Sequence, residues 1–163
     1  MQRPRLLLLT TAYSYRNEAF QAAAAKAGVE IVLGYDLPPE MQAQSRPQQA
    51  GWLGVDLEDP PAAAEVIAAY AAEEPLAAVL PVDDSGVVAA AAVAARLGLP
   101  YNAPAAAEAA RDKYVMRTMM AAANVPCPWF RLFNTGDDLA AVAEQVPYPC
   151  VVKPTSLNGS RGV

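Results

Sequence analysis

The sequence predicts an α/β fold in which a parallel, doubly wound sheet is followed by an incomplete α+β unit. Short continuous apolar runs such as RLLLLT alternate with Ala-rich segments made of good helix formers. Glycines stand where two of these Ala-rich segments end, as is typical of helix C-termini. Strands that alternate with helices at this spacing favour an open parallel sheet with helices on both faces.

The first 36 residues predict one βαβ unit. RLLLLTTAY has the pattern of a strand buried on both faces, RNEAFQAAAAKAG that of a helix ended by Gly28, and VEIVLGYD that of a second buried strand. The polar, proline-bearing segment 38–50 predicts a surface loop. GWLGVDL and LAAVLPVDD then predict a third and a fourth strand, each followed by a helix.

The pattern changes after residue 103, and we place a domain boundary there, with units 1–103 and 104–163. The helical segment AAAEAARDKYVMRTMMAAANVP carries Met in its apolar stripe, TGDDLAAVAEQV predicts a short capped helix, and CPWFRLF and YPCVVKP predict two strands. Two strands with two or three helices are too few to close a core. We therefore expect the chain to be a truncated or fragmentary front portion of a longer protein.

Composition excludes several classes of function. The net charge of −5 disfavours nucleic-acid binding. The absence of histidine and of any CxxC spacing excludes a zinc site, a Cys-His pair and a Ser-His-Asp triad within this stretch. No apolar run reaches the ~20 residues of a membrane span, and the opening apolar run lacks a signal-peptide cleavage site, which predicts a cytoplasmic protein.

Two polar clusters follow predicted strands of the first unit. TTAYSYRNE contains no glycine, which disfavours the turn of an NAD or FAD site, and Arg16 lies where open α/β sheets bind ligands. A helix cap by Ser14 or Asn17 and an anion contact through Arg16 both stay open. In LPVDDSG, Asp83 and Asp84 are candidate ligands for a substrate amine or hydroxyl, with a helix cap by Asp84 or Ser85 as the alternative.

Lysine is scarce in this chain, which has nine arginines but only Lys26, Lys113 and Lys153. Asp112 can cap the following helix, which places Lys113 in its first turn. A cation is unfavourable there by some tenths of a kcal/mol unless an anion binds, and a solvated lysine is the alternative. Lys153 follows an apolar run and precedes a loop with two glycines, whose N–H groups could hold phosphate oxygens. The two lysines together predict a phosphate site.

Three stretches resemble the N-terminal portion of ATP-grasp enzymes of the carboxylate-amine ligase and phosphoribosylglycinamide-synthetase-like group. They are AAVLPVDDSGVVAAAAVAARLGLPYNAP, ARDKYVMRTMMAAANVPCPWF and YPCVVKPTSLNGSRGV. The resemblance implies a pre-ATP-grasp domain followed by the first lobe of an ATP-grasp domain. It also implies that Lys113 and Lys153 contact ATP phosphates, beneath a glycine-rich lid formed by Ser156, Leu157, Asn158, Gly159, Ser160, Arg161 and Gly162.

The reaction that this resemblance implies is the ATP-dependent activation of a carboxylate as an acyl phosphate, which an amine or another nucleophile then attacks with release of ADP and phosphate. Small-molecule substrates, ATP and Mg²⁺ are thus expected. The adenine hinge, the Mg²⁺ ligands and the catalytic Arg of such enzymes lie after the lid, so the 163-residue chain alone is expected to be inactive. A kinase variant of the family, and a non-enzymatic flavodoxin-like ligand-binding or signalling module, stay open as alternatives.

Overall fold

The structure is a computed structural model that describes residues 3–11, 14–42, 51–157 and 159–163. The chain divides into two units, Met1–Ala107 and Glu108–Val163. In its described part, the first unit contains four parallel strands in the order β3-β2-β1-β4: β1 Arg5–Thr10, β2 Glu30–Asp36, β3 Trp52–Val55 and β4 Ala78–Pro81. The predicted α/β class with a parallel sheet is confirmed. The strand order differs from the flavodoxin-like order of the alternative, in which β1 lies between β2 and β3.

Helices follow the strands of the first unit as the sequence predicts. They are α1 Asn17–Ala27, α2 Pro39–Gln42, α3 Pro60–Glu73, a 3-10 turn Asp84–Gly86 and α4 Val87–Leu97. The short α2 corrects the prediction that 38–50 is a loop throughout, and residues 43–50 of that prediction lie outside the described residues. The prolines at the start of α3 have a fixed φ that suits a first helical turn, so they start this helix as predicted.

Central strand β1 is buried on both faces. The chain moves outward from β1 through β2 to β3 and then crosses back to β4, so right-handed connections put α1 and α3 on opposite faces of the sheet. On one face Leu7 and Leu9 join a core cluster with Ile67 of α3 and Val93 of α4. Leu8 points to the other face and is fully buried too. Each such side chain contributes about 1.5–3 kcal/mol.

One glycine of the sheet makes room for this core. Gly34 of β2 lies beside Leu9 of β1 in the parallel register. A Cβ on Gly34 would come within 2.7 Å of the Leu9 Cδ2 atom, so the missing side chain allows Leu9 to lie across β2. Glycine is otherwise unfavourable in a strand interior, and this close contact explains its presence.

Local signals set the ends of the helices. Gly28 and Gly98 adopt left-handed backbone conformations after α1 and α4, and their N–H groups bond to carbonyls of the last turn. Asp59 caps α3 by accepting a hydrogen bond of 3.0 Å from the Ala62 N–H group. The two glycine ends agree with the sequence-based prediction because each depends on residues only a few positions apart, whereas the Asp59 cap was not predicted.

The second unit contains helices but, among its described residues, no strand. Helix α5 Pro104–Arg111 spans the boundary between the units, and α6 Lys113–Ala122 and α7 Leu139–Gln145 follow. The strands predicted in CPWFRLF and YPCVVKP are therefore wrong. A strand requires a neighbour for its N–H and C=O groups, and the described residues of this unit provide none. Val152, in the second of these segments, is 79% exposed.

Candidate functional site

The strand order creates a crevice in the first unit. The chain runs from β1 to β2 and β3 on one side, and β4 lies on the other side of β1, so the strand order reverses between β1 and β4. Open α/β sheets bind ligands at the carboxyl ends of the strands where this reversal occurs. Gly86 allows a close approach here, since a Cβ on it would come within 3.2 Å of Pro81 Cβ and 3.3 Å of Leu9 Cβ. The residues that follow these two strands, including Arg16 and Asp83, therefore lie at one edge of the sheet.

Arg16 connects the two sides of this crevice. Its Nη1 atom donates to the Val82 carbonyl at 3.3 Å and lies 3.9 Å from Oδ1 of Asp83. Its Nε atom donates to the Tyr15 hydroxyl at 3.1 Å, and this hydrogen bond is the largest cause of the raised pKa of Arg16. The Arg16 side chain is about half exposed, and a guanidinium has five N–H donors, so donors remain for an anion.

The carboxylates after β4 do not act as the predicted helix caps. Asp83 is extended and precedes the 3-10 turn without a side-chain cap, and Gly86 occupies the N-cap position of α4. The capping alternative for Asp84 and Ser85 is therefore wrong for α4. Asp83 faces Arg16 instead, which leaves a cation and a carboxylate together at the mouth of the crevice.

Three polar residues beside the crevice were missed or misjudged from sequence. The buried Thr10 hydroxyl donates to Oδ1 of Asn17 at 2.7 Å, and Asn17 donates to the Thr11 carbonyl at 3.5 Å. Neither Asn17 nor Ser14 caps α1, whose N-cap residue is Arg16, and the Arg16 side chain makes no capping hydrogen bond to the helix. The Ser14 Oγ atom is buried and makes no hydrogen bond within the described part of the chain. Thr10 ends an apolar run, and that position was its only sequence signal.

In the second unit, Asp112 starts helix α6 as predicted. Its Oδ1 atom accepts hydrogen bonds from the N–H groups of Tyr114 at 2.8 Å and Val115 at 2.9 Å. The bond from Val115 is the largest cause that lowers the pKa of Asp112, and the Thr155 hydroxyl, the Tyr114 N–H group and the charge of Lys113 add to it. The carboxylate is thus stabilised in its charged form at the N-terminus of α6.

Lys113, the first residue of α6, binds the segment that follows Lys153. Its backbone N–H group donates to the Thr155 carbonyl at 2.9 Å. Its ammonium donates to the same carbonyl at 3.2 Å and to the Leu157 carbonyl at 2.5 Å. The solvated lysine considered from sequence is therefore not what the structure contains. Lys113 is instead half-buried against the predicted lid.

The glycine-rich segment is a tight turn in this structure. Gly159, Ser160 and Gly162 have φ angles of 60°, 58° and 71°, in the left-handed region that favours glycine. A Cβ on Gly162 would come within 2.8 Å of Cγ of Pro154, so the segment closes onto its own start. The predicted lid residues Ser156, Leu157, Ser160 and Arg161 are exposed, while Asn158 lies outside the described residues.

Lys153 is exposed and stands two residues before the carbonyl that Lys113 binds. Within the described residues, the Lys153 ammonium makes no hydrogen bond or ion pair. Lys113 and the segment that follows Lys153 are thus in contact through the backbone of Thr155.

A separate groove of 560 Å³ lies between α3 and α4, and none of the predicted site residues lines it. Its charges are paired, since Nε of Arg96 lies 3.3 Å from Glu65 and Asp59 caps α3. The described residues contain no group of His, Cys, Asp or Glu side chains that could hold a metal ion. No helix in the described ranges has the length and apolar character needed to cross a membrane.

A family of known proteins matches the first unit of this chain. Residues 20–101 match the family described as ATP-grasp N-terminal domain, which is half of the chain. A segment of 65 residues is 38% identical to the uncharacterized protein y4rH of Sinorhizobium fredii, and it covers 40% of this chain and 14% of that protein.

Two solved structures share the fold over nearly the whole chain. The L-amino acid ligase from Bacillus licheniformis is matched with a TM-score of 0.68 and 23% identity, over 96% of this chain and 38% of that protein. The phosphoribosylglycinamide synthetase from Anaerococcus prevotii is matched with a TM-score of 0.63 and 18% identity, over 91% and 36%. The chain thus spans little more than a third of the length of each, and at these identities the likeness concerns the fold.

Proposed function

This chain belongs to the ATP-grasp N-terminal domain family, and from that premise we propose that the protein containing it is an ATP-dependent ligase. The ligase transfers the γ-phosphoryl group of ATP to a carboxylate oxygen, which breaks the bond between the β- and γ-phosphates, releases ADP and leaves an acyl phosphate. An amine or another nucleophile then attacks the acyl carbon, the new bond forms, and inorganic phosphate leaves. The enzyme names of the two solved structures, an L-amino acid ligase and a phosphoribosylglycinamide synthetase, support a reaction of this class.

The observation that carries the proposal is the contact between Lys113 and the segment after Lys153. Two of the three lysines in the chain are associated with one glycine-rich turn, forty residues apart in sequence. Lysine is a compact charge that suits phosphate oxygens, whereas Arg, which supplies nine of the twelve basic residues, is a planar fork. Lys113 and Lys153 are thus the proposed phosphate ligands, with Ser156, Leu157, Asn158, Gly159, Ser160, Arg161 and Gly162 as the lid.

Charge neutralisation is the contribution that these residues make to catalysis. The transferring phosphoryl group carries charge on its oxygens, so fixed cations stabilise the transition state. Mg²⁺ supplies further positive charge on the phosphates when it is bound. The described residues offer no cluster that fits a metal, so no step is assigned to it in this chain.

The crevice of the first unit is the proposed substrate site. Arg16 offers a cation to a carboxylate or another small anion, and Asp83 offers an acceptor to an amine or hydroxyl, with Asp84 adjacent. An amino acid carries both groups, so the ion pair of Arg16 and Asp83 suits a substrate of that chemistry. Such a substrate would replace one weak exposed pair by two contacts of its own.

The test measures ADP formation by the intact protein that contains this chain, with a panel of carboxylates and amines. We expect Lys153→Ala to lower turnover by about tenfold or more, because a charge-assisted contact to phosphate is lost. Lys26→Ala is the matched control, since Lys26 is an exposed residue of α1. Equal turnover in the two variants would remove the proposal.

Product analysis distinguishes a ligase from a kinase variant. A ligase releases inorganic phosphate in step with ADP only when carboxylate and amine are both present. ADP formation that leaves the phosphoryl group on a stable product would identify a kinase instead. The isolated 163-residue chain, which lacks a metal cluster in its described part, is expected to release no ADP.

A further inference from the structure

The Lys113 ammonium is held by the backbone rather than by an acidic side chain. It donates to the Thr155 and Leu157 carbonyls, and the backbone N–H group of Lys113 donates to Thr155 as well. A lysine has three donors, so the third remains for another acceptor. Carbonyls are neutral, and they therefore fix the position of the ammonium without cancelling its charge.

Thr155 is held on two sides. Its carbonyl accepts from both N–H groups of Lys113, and its hydroxyl stabilises the charge of the Asp112 carboxylate. Asp112 is itself fixed by two backbone N–H groups at the start of α6. Thr155 thus contacts the adjacent residues Asp112 and Lys113, which lie about forty positions earlier in the chain.

We propose that Asp112 and Thr155 are positioning residues that aim the Lys113 ammonium at a phosphate group, an inference that rests on the proposed function of Lys113. Neither residue touches the phosphate. The Lys113 backbone N–H group bonds to Thr155 at 2.9 Å beside Asp112, whose carboxylate attracts the Thr155 hydroxyl, and the Thr155 carbonyl accepts from the ammonium at 3.2 Å. The Leu157 carbonyl is the exposed partner, and a phosphate oxygen replaces it because an anionic oxygen attracts the ammonium more strongly than a neutral carbonyl does. The Thr155 contact, made twice by Lys113, is retained.

Because the chain has only three lysines, the reactivity of each can be measured separately. Trace acetylation of the 163-residue chain, followed by mass spectrometry, reports the reactivity of Lys26, Lys113 and Lys153 separately. Lys113 is half-buried and hydrogen-bonded, whereas the other two are exposed, so we expect Lys113 to react most slowly. Lys26 serves as the internal reference in each sample.

Thr155→Val is the decisive variant, because valine keeps the shape and the backbone carbonyl but removes the hydroxyl. We expect the Lys113 reactivity to rise roughly fivefold to tenfold, as for the loss of one hydrogen bond, with Lys26 unchanged. Thr155→Ser restores the hydroxyl and is expected to restore slow labelling. Thr118→Val is the matched control, since the Thr118 hydroxyl donates to the Tyr114 carbonyl on the same helix.

A second variant tests the contact from the Asp112 side, independently of any substitution at position 155. Asp112→Ser keeps a good N-cap residue but shortens the side chain, so it should raise Lys113 reactivity while α6 persists in circular dichroism. Unchanged Lys113 labelling in Thr155→Val, or an equal rise in Thr118→Val, would overturn the positioning role. A rise shared by Lys26 would also overturn it, since it would indicate general loss of structure.

Sodium tripolyphosphate, compared with sodium chloride at equal ionic strength, separates this inference from the proposed function. We expect tripolyphosphate to protect Lys113 and Lys153 but not Lys26, and to require a higher concentration in Thr155→Val. If it protects neither lysine in the wild-type chain, the phosphate role fails, whereas the Thr155→Val result without anion still decides whether Thr155 holds the ammonium.

Discussion

The first unit buries its apolar side chains, whereas the second leaves most of its own exposed. Leu7, Leu9, Val55, Ile67 and Val93 are fully buried in the first unit. In the described part of the second unit the exposed apolar residues include Val115, Met119, Trp129, Leu132, Leu139, Tyr148, Val151 and Val152. Both units nevertheless use the same helix caps, since Asp59 caps α3 and Asp138 caps α7.

The comparison distinguishes features that need only residues nearby in sequence from features that need residues distant in sequence. Each of these two caps requires only a carboxylate and an N–H group two or three residues later, and each unit supplies both. A buried strand needs neighbours, and β1 finds them in β2 and β4. Segment 148–154 has a short apolar centre at 150–152 that resembles part of a buried strand, but no strand neighbours it among the described residues, so it remains unpaired.

The largest effect should come from the core of the first unit. Leu9→Ala removes a fully buried side chain that lies across Gly34, and we expect a loss of about 2–5 kcal/mol in the free energy of unfolding. Leu139→Ala, at a residue 80% exposed on α7, should change it by less than about 0.5 kcal/mol.

The two tryptophans allow each unit to be followed separately. Trp52 lies in β3 beside Tyr35, and Trp129 lies in the second unit. Urea unfolding in a Trp129→Phe background therefore reports the first unit by fluorescence. Leu139→Ala is followed by Trp129 fluorescence in a Trp52→Phe background, and an effect there as large as that of Leu9→Ala on the first unit would contradict the contrast between the units.

The next largest effect is expected from substitutions in the glycine-rich turn of the second unit. Gly162→Ala introduces a Cβ both at a positive φ and against the ring of Pro154, whereas Gly159→Ala meets no atom within 4 Å. The left-handed conformation alone costs about 1–2 kcal/mol in each variant. We expect amide exchange of residues 155–161 to accelerate more in Gly162→Ala than in Gly159→Ala. Identical rates would mean that contact with Pro154 does not maintain the turn.

The contrast between local and distant interactions also explains which features the sequence could predict. The strands of the first unit, the glycines after α1 and α4 and the cap at Asp112 follow from local patterns, and the structure agrees with each. The ion pair of Arg16 with Asp83 could be anticipated only as proximity, because both follow strands that end at one edge of the sheet. Thr155 carried no signal, because its partner Lys113 is 42 residues away and is bound through a backbone carbonyl.

The smallest expected effect is a pH dependence at the start of α6. The pKa of Asp112 is lowered, first by the hydrogen bond from the Val115 N–H group and further by Thr155, Tyr114 and Lys113. The unfolded carboxyl binds a proton more readily than the folded one, so its contribution to stability is complete above the ordinary pKa of Asp. That contribution decreases as the pH falls through the ordinary pKa toward the lower, folded value.

Asp112→Asn tests this effect, because Asn is a good N-cap residue that does not titrate. The protection of α6 amides against hydrogen exchange, compared between wild type and Asp112→Asn, should differ at pH 7 and converge as the pH falls through the lowered pKa of Asp112. Because only the wild-type chain carries a carboxyl group at position 112, convergence reports the protonation of Asp112. A difference that persists or grows on acidification would mean that the charge of Asp112 does not stabilise α6, and the contact with Thr155 would then depend on shape rather than on charge.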